Sequence, residues 1–259
     1  MSRFVNLEFG DEHEDQSRGQ PGEVVQDGAR YFDEAEAAIQ HGSFESALRL
    51  YSKVLEFNPQ RAAAWTGQVR MLIELGEFRE AGLWADKALE RFPNEAELLA
   101  AKAVALGRCG ETEAALAFSD AAMEARGDTP YVWLARGDVL LAREESRADF
   151  CFDKALQLAP HDWLIVWLAA RIRYYYRQFA LALQLAQQAV EWNAGHFRLW
   201  LELGRCQEAL GLLTPAQHSY TQARQLNPHC SETRGALAQL AQAGFWTRLA
   251  GRWRQWWRR

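Results

Sequence analysis

The chain has 259 residues, 49% of them hydrophobic, and a formal net charge of −5 from 29 basic and 34 acidic residues. That balance argues against general nucleic-acid binding, because contact with phosphates needs a basic footprint. No stretch approaches the ~20 apolar residues of a membrane-spanning helix, and no apolar segment follows a basic start at the N-terminus, so a cytoplasmic location is expected.

From the N-terminus, residues 1–27 hold two basic residues (Arg3, Arg18) and seven acidic ones (Glu8, Asp11, Glu12, Glu14, Asp15, Glu23, Asp27). Gly and Pro interrupt the segment, which reads as a flexible acidic leader with a short apolar patch at Phe4, Val5, Leu7 and Phe9. Residues 28–230 repeat one pattern six times. Its clearest marks are Ala47, Ala81, Ala115, Ala148, Ala182 and Ala216, spaced 34, 34, 33, 34 and 34 residues apart. A fixed period in this range means one supersecondary unit copied in tandem. Ala216 is followed by Tyr220, Ala223 and Pro228, Ala148 by Phe152, Ala155 and Pro160, and Ala47 by Tyr51, Val54 and Pro59. Steps of four and three gather these side chains on one helical face, and Pro or Gly then stops the helix.

The first half of each unit carries its own signal. Tyr31, Trp65, Leu99 and Trp200 stand sixteen residues before their alanines, and Trp133 fifteen before Ala148. Small residues four further on, Ala35, Ala103, Gly137 and Gly204, allow a neighbouring helix to come close. Gly42, Gly76, Gly110 and Gly211 mark a turn between two helices. In the fifth unit the register is ambiguous by one. With Val166 at the apolar position, Ala170 takes the small one; with Trp167 there, Arg171 would be buried as an isolated charge, which is costly. The Val166 register is therefore expected. Residues 231–243 predict a closing helix, with Gly244 able to end it. The tail, 244–259, holds Arg248, Arg252, Arg254, Arg258 and Arg259 and no acid. Trp246, Leu249, Trp253, Trp256 and Trp257 recur there at three- and four-residue steps, on one helical face.

Signals for catalysis are scarce. His13, His41, His161, His196, His218 and His229 form no metal-binding pattern, and Cys109, Cys151, Cys206 and Cys230 make no CxxC pair. Phosphate-cradling glycine motifs and a nucleophile elbow are absent from the sequence. Asp162 precedes an apolar helix and reads as its cap. No enzymatic activity, metal or cofactor is expected.

The repeated residues resemble the tetratricopeptide repeat family. In the sixth copy Trp200, Leu203, Gly204, Gly211, Ala216, Tyr220, Ala223 and Pro228 all fall on the motif. The resemblance implies an all-α, right-handed superhelical solenoid of about six helix-turn-helix repeats with a C-terminal capping helix. It further implies that the first helix of each unit lines a concave groove that binds a protein or peptide partner. Carried onto this chain, the inward registers that look suited to a partner, including one of acidic or aromatic character, hold Arg70, Arg108, Leu134, Trp167, Arg171, Tyr174, Tyr175, Leu201 and Arg205, with Arg198 extending the cluster. The family's peptide-carboxylate clamp needs Lys and Asn where this chain has Phe32, Glu36 and Thr66, which argues against a chaperone-tail role. The expected function is a non-catalytic scaffold or adaptor. The tail leaves two alternatives open. Trp246, Arg248, Leu249, Arg252, Trp253, Trp256 and Trp257 suit either a cap on the last repeat or an interfacial helix that recruits the protein to an anionic membrane surface.

Overall fold

A computed structural model of the protein describes residues 21–125 and 127–242, and the side chains from residue 28 onward. The described residues are built from helices, with no strand among them. In chain order they are α1 (Pro21–Gln40), α2 (Phe44–Phe57), α3 (Ala62–Glu74), α4 (Phe78–Leu89), α5 (Ala96–Arg108), α6 (Thr112–Glu124), α7 (Pro130–Ala142), α8 (Ala148–Leu158), α9 (Trp163–Tyr175), α10 (Phe179–Trp192), α11 (Phe197–Ala209) and α12 (Leu213–Leu226). A further helix, α13, runs over residues 231–242. Helix α1 already starts at Pro21, inside the segment read from the sequence as an acidic leader.

The chain forms two compact units, Met1–Pro160 with α1–α8 and His161–Arg259 with α9–α13. Within the first, each helix packs on the next, and α3 and α5 and then α5 and α7 also touch directly. Within the second, α9 to α12 pack consecutively and α9 also meets α11. This is the all-α repeat array that the 34-residue period demands, since one helical pair cannot bury its apolar face alone. The six marker alanines are 0–1% exposed.

The turns inside the six pairs share one hydrogen-bond pattern. Gly42, Gly76, Gly110 and Gly211 adopt positive φ, and so do Glu144 (φ 59°) and Arg177 (φ 61°) in the two units that lack the glycine. In every case the next residue donates its N–H back to the carbonyl five residues earlier: Ser43 to Ala38, Glu77 to Leu72, Glu111 to Leu106, Glu145 to Leu140, Gln178 to Arg173 and Leu212 to Gln207, at 2.8–3.0 Å. This cap satisfies a carbonyl that the helix end leaves open. The left-handed residue stands eleven positions after Tyr31, Trp65, Leu99, Trp133 and Trp200. Counting back eleven from Arg177 reaches Val166, not Trp167, which fixes the register of the fifth unit. The shortened fourth unit loses its residue after the turn, where Ala148 and Asp149 donate to Glu145 and Ser146 only three residues back.

Packing within a pair depends on how closely its helices approach. A Cβ added at Gly137 would lie 3.0 Å from the Phe152 ring, and one at Gly204 would lie 2.4 Å from the Tyr220 ring. Gly67 likewise leaves room for the Tyr51 ring of the preceding helix, where a Cβ would come within 2.3 Å. All three rings are fully enclosed, and the two tyrosine hydroxyls stay satisfied: Tyr51 donates to Glu36, and Tyr220 donates to Glu208 at 2.6 Å. Trp65 and Trp200 hold the loops before them by donating their indole N–H to the carbonyls of Pro59 (2.9 Å) and Ala194 (2.7 Å).

Two predictions follow from this geometry. A left-handed non-glycine residue costs about 1 kcal/mol, so Glu144→Gly and Arg177→Gly should leave stability unchanged or raise it by up to about that amount, after the added freedom of the unfolded chain is counted. Gly76→Ala should lower it by about 1 kcal/mol; thermal unfolding followed by circular dichroism should rank the variants in that order. Gly204→Ala should destabilise by ~1–3 kcal/mol through overpacking against Tyr220. Pairing it with Tyr220→Leu should cost less than the sum of the two single changes, as measured by urea denaturation.

Candidate functional site

Several of the ion pairs among the described residues lie on the face presented by the first helices of the repeats. In the first unit, Arg70 on α3 reaches Glu97 on α5 at 3.7 Å, and its guanidinium stacks 3.9 Å from the centre of the Tyr131 ring on α7. Thr129 donates its hydroxyl to the same Glu97 at 2.9 Å. Further along, Arg108 grips Asp138 with two nitrogens, Nε to Oδ1 at 2.9 Å and Nη2 to Oδ2 at 2.6 Å. The two side chains are 7% and 2% exposed, so this pair is enclosed. A bidentate guanidinium–carboxylate contact of this kind fixes the relative position of α5 and α7, and losing either partner would strand a buried charge.

In the second unit α9, α11 and α13 supply the corresponding face. Asp162 caps α9, its Oδ1 accepting the Leu164 N–H at 2.9 Å. Trp167 lies 1% exposed, with the Arg171 guanidinium 5.2 Å from its ring centre. Trp163 and His196 join it, at ring separations of 6.5 Å and 6.1 Å from Trp167 and 4.9 Å from each other. Arg198 donates to Glu232 at 3.1 Å, and Arg205 donates to the other oxygen of the same carboxylate while also reaching Glu202 at 3.6 Å. Burial acts to raise the Glu232 carboxyl, but Arg198 and Arg205 outweigh it and hold the group below the ordinary carboxylate range. Arg205 and Glu232 are 27 residues apart, the same separation as Arg70 and Glu97, so one register recurs between successive first helices. At that register in the fifth and sixth units stand Arg171 and Arg198, two cations in place of a cation and an acid.

These positions sort the residues expected from the sequence. Arg198 and Arg205 are brought together on Glu232, and Arg171 sits beside Trp167. Leu134, Trp167 and Leu201 are each 1% exposed and fill space between helices, because residues one place after the apolar anchor face the next first helix as well as the open side. Arg108 is occupied by Asp138, and Arg70 by Glu97 and Tyr131. Tyr174 is half-buried, and Tyr175 is 47% exposed. The residues that sequence reasoning missed are the acids and the aromatic neighbours: Glu97, Glu232, Trp163 and His196. The 27-residue register would have found the acids, and the four-residue step from Trp163 to Trp167 would have found that tryptophan. Trp246, Arg248, Leu249, Arg252, Trp253, Trp256 and Trp257, together with residues 1–20, lie outside the described residues. Among the described residues no three metal-ligating side chains gather, and no helix is long and apolar enough to cross a membrane.

The tetratricopeptide repeat family model matches residues 38–105. A comparison with curated proteins gave no match. Among solved structures, the chain is similar to one in the crystal structure of the APC/C hetero-tetramer Cut9–Hcn1, with a TM-score of 0.53 and 12% identity over 85% of this chain, which spans 46% of that chain's length. It is also similar to YrrB, described as a TPR protein with an unusual peptide-binding site, at 18% identity, 72% and 96% coverage of the two chains and a TM-score of 0.43. A third similarity is to the first TPR of Spaghetti (RPAP3) bound to an HSP90 peptide, at 22% identity, 44% and 92% coverage and a TM-score of 0.39. At these identities the likeness concerns the fold. The family match over residues 38–105 and the fold likeness to the Cut9–Hcn1 chain make this chain similar to proteins built of tetratricopeptide repeats.

The Glu232 contacts make a testable claim about pH. A carboxylate held below its unfolded pKa, about 4.3, contributes stability that is present above that value and is lost as pH falls through the folded one. Glu232→Gln should therefore lower the melting temperature at pH 7 and have a smaller effect near pH 3.5, as read by calorimetry at both values.

Proposed function

We propose that the array is a non-catalytic scaffold that binds an extended or helical segment of a protein partner along its first helices. The second unit carries the contact. The single observation behind this is the cluster on α9 and α11 in which Arg171, Tyr174, Tyr175, Arg198 and Arg205 retain accessible surface on a rigid helical frame, with Arg198 and Arg205 20% and 34% exposed. Arginine and tyrosine combine large contact area with directional hydrogen-bond donors, the usual make-up of a binding anchor. Arg171, together with the partly exposed contacts of Arg198 and Arg205 to Glu232, favours a partner bearing carboxylates, with aromatic residues to stack on the tyrosines. Recruitment to an anionic membrane through Trp246, Arg248, Leu249, Arg252, Trp253, Trp256 and Trp257 is the rival function, and it rests on the composition of a segment outside the described residues.

The test uses the full chain and a panel of labelled peptides that differ only in acidic and aromatic content. Acidic–aromatic peptides should bind with an affinity that falls as salt rises. Arg171→Glu combined with Tyr175→Ala should weaken them at least tenfold with an unchanged melting temperature. Trp167 is left intact, because truncating an enclosed tryptophan destabilises by ~3–5 kcal/mol and would confuse binding with unfolding. Equal binding of neutral and acidic peptides, or full retention of affinity in the double variant, overturns the assignment.

A further inference from the structure

Helix α11 carries two arginines seven residues apart, Arg198 and Arg205, and both turn to one acid on α13. Seven residues are close to two helical turns, which sets the two side chains on the same face. The Glu232 carboxylate is divided between them. Its Oε1 accepts from Arg198 at 3.1 Å, and its Oε2 accepts from Arg205. A single carboxylate held by two guanidiniums is the contact that a partner's acidic side chain would make there. The matching contact in the first unit is built otherwise. Glu97 meets one arginine, Arg70, and accepts a hydrogen bond from the Thr129 hydroxyl, while the Tyr131 ring covers Arg70.

Three features make the Glu232 contact exchangeable. Its side chain is 42% exposed, against 2% for Asp138 in the enclosed pair with Arg108, so a second carboxylate can reach the same guanidiniums from water. Arg205 also reaches Glu202 at 3.6 Å, and the Arg198 guanidinium lies 5.3 Å from the centre of the Phe197 ring, so each arginine keeps a neighbour when Glu232 leaves. The place of α13 does not depend on the ion pairs, because Leu240 packs with Leu201, Ala216, Tyr220 and Ala223. We infer that Glu232 is an internal competitor: it fills the carboxylate site of Arg198 and Arg205 until an aspartate or glutamate side chain of a bound peptide displaces it. The inference rests on the scaffold reading above and adds to it the regulation of that site. Competition of this kind lowers the apparent affinity by the fraction of the time that the site is filled from within, so segments that bring only a weak carboxylate contact are turned away.

Binding of labelled acidic–aromatic peptides to the full chain, followed by fluorescence anisotropy, tests this. Glu232→Gln keeps the size of the side chain and removes its charge. It should bind these peptides about two- to fivefold more tightly than the native chain does, the range to which partly exposed ion pairs correspond, although without peptide it melts at a lower temperature. At saturating peptide the native chain should lose that advantage in melting temperature, since a contact displaced by the ligand no longer separates the two proteins. Two controls separate competition from a general change of charge. Glu191→Gln removes one exposed acid from α10 and should leave the affinity as in the native chain. In an Arg205→Gln background, the gain from Glu232→Gln should shrink. Peptide binding by the native chain with an equal or lower affinity in Glu232→Gln overturns the inference and leaves the scaffold reading standing. An equal gain in Glu191→Gln overturns it as well. No binding of acidic peptides by either the native chain or Glu232→Gln overturns both.

Discussion

Close approach of two antiparallel helices governs this molecule. At Gly137 and Gly204 the first helix has no side chain, and a ring from the second helix fills the space down to the backbone. A methyl group there would overlap the ring, and protein interiors offer little room for it to move. The distance between paired helices then decides what the next pair meets. Because each pair is translated onto its neighbour, a fault at one contact is felt by two interfaces. The left-handed turn belongs to the same constraint. It sets how far along the second helix the ring arrives, and it does so with one hydrogen bond, from the residue after the turn to the carbonyl five residues back, in all six pairs. That two of the six achieve it with Glu144 and Arg177 shows that packing can impose a backbone conformation which the local residue disfavours.

Charge is organised on top of this frame. The first helices carry arginines along one face, and much of that charge is answered from within: Arg70 by Glu97, Arg108 by Asp138, Arg198 and Arg205 by Glu232. The pairs differ in kind. Arg108–Asp138 is enclosed and bidentate, so its main effect is to fix position, since enclosed ion pairs add little net stability over apolar packing. The contacts to Glu232 stay partly in water, where screening weakens them. They can exchange partners more readily than the enclosed pair can. The difference explains why candidate binding chemistry concentrates on α9 and α11 rather than on α5 and α7.

The two cysteines deepest in the helices follow the same physics. Cys151 and Cys206 are 3% and 0% exposed, and burial pushes both thiols above their ordinary pKa, which suppresses the thiolate that oxidation requires. They serve as small apolar side chains. Their packing role is consistent with a chain whose apolar positions are dominated by alanine and leucine and whose specificity comes from matching sizes across a pair.

Fold class and repeat register were legible in the residues alone. The 34-residue alanine period, the glycine turns and the small residue facing a ring are local and periodic, and local periodic signals survive in one dimension. Even the Val166 register of the fifth unit followed from the cost of burying Arg171. The candidate site was legible only in outline. Arginines and aromatics on the first helices could be named, but their acids lie 27 to 34 residues away on the next first helix, and no local pattern says whether a given arginine meets solvent or a carboxylate. Tertiary structure decided that Arg108 is enclosed, that Glu232 holds Arg198 and Arg205, and that Trp167 is covered while Tyr175 is not. The reason is geometric: a helical period tells which face a side chain shares, whereas burial and pairing depend on what the neighbouring helix brings to that face.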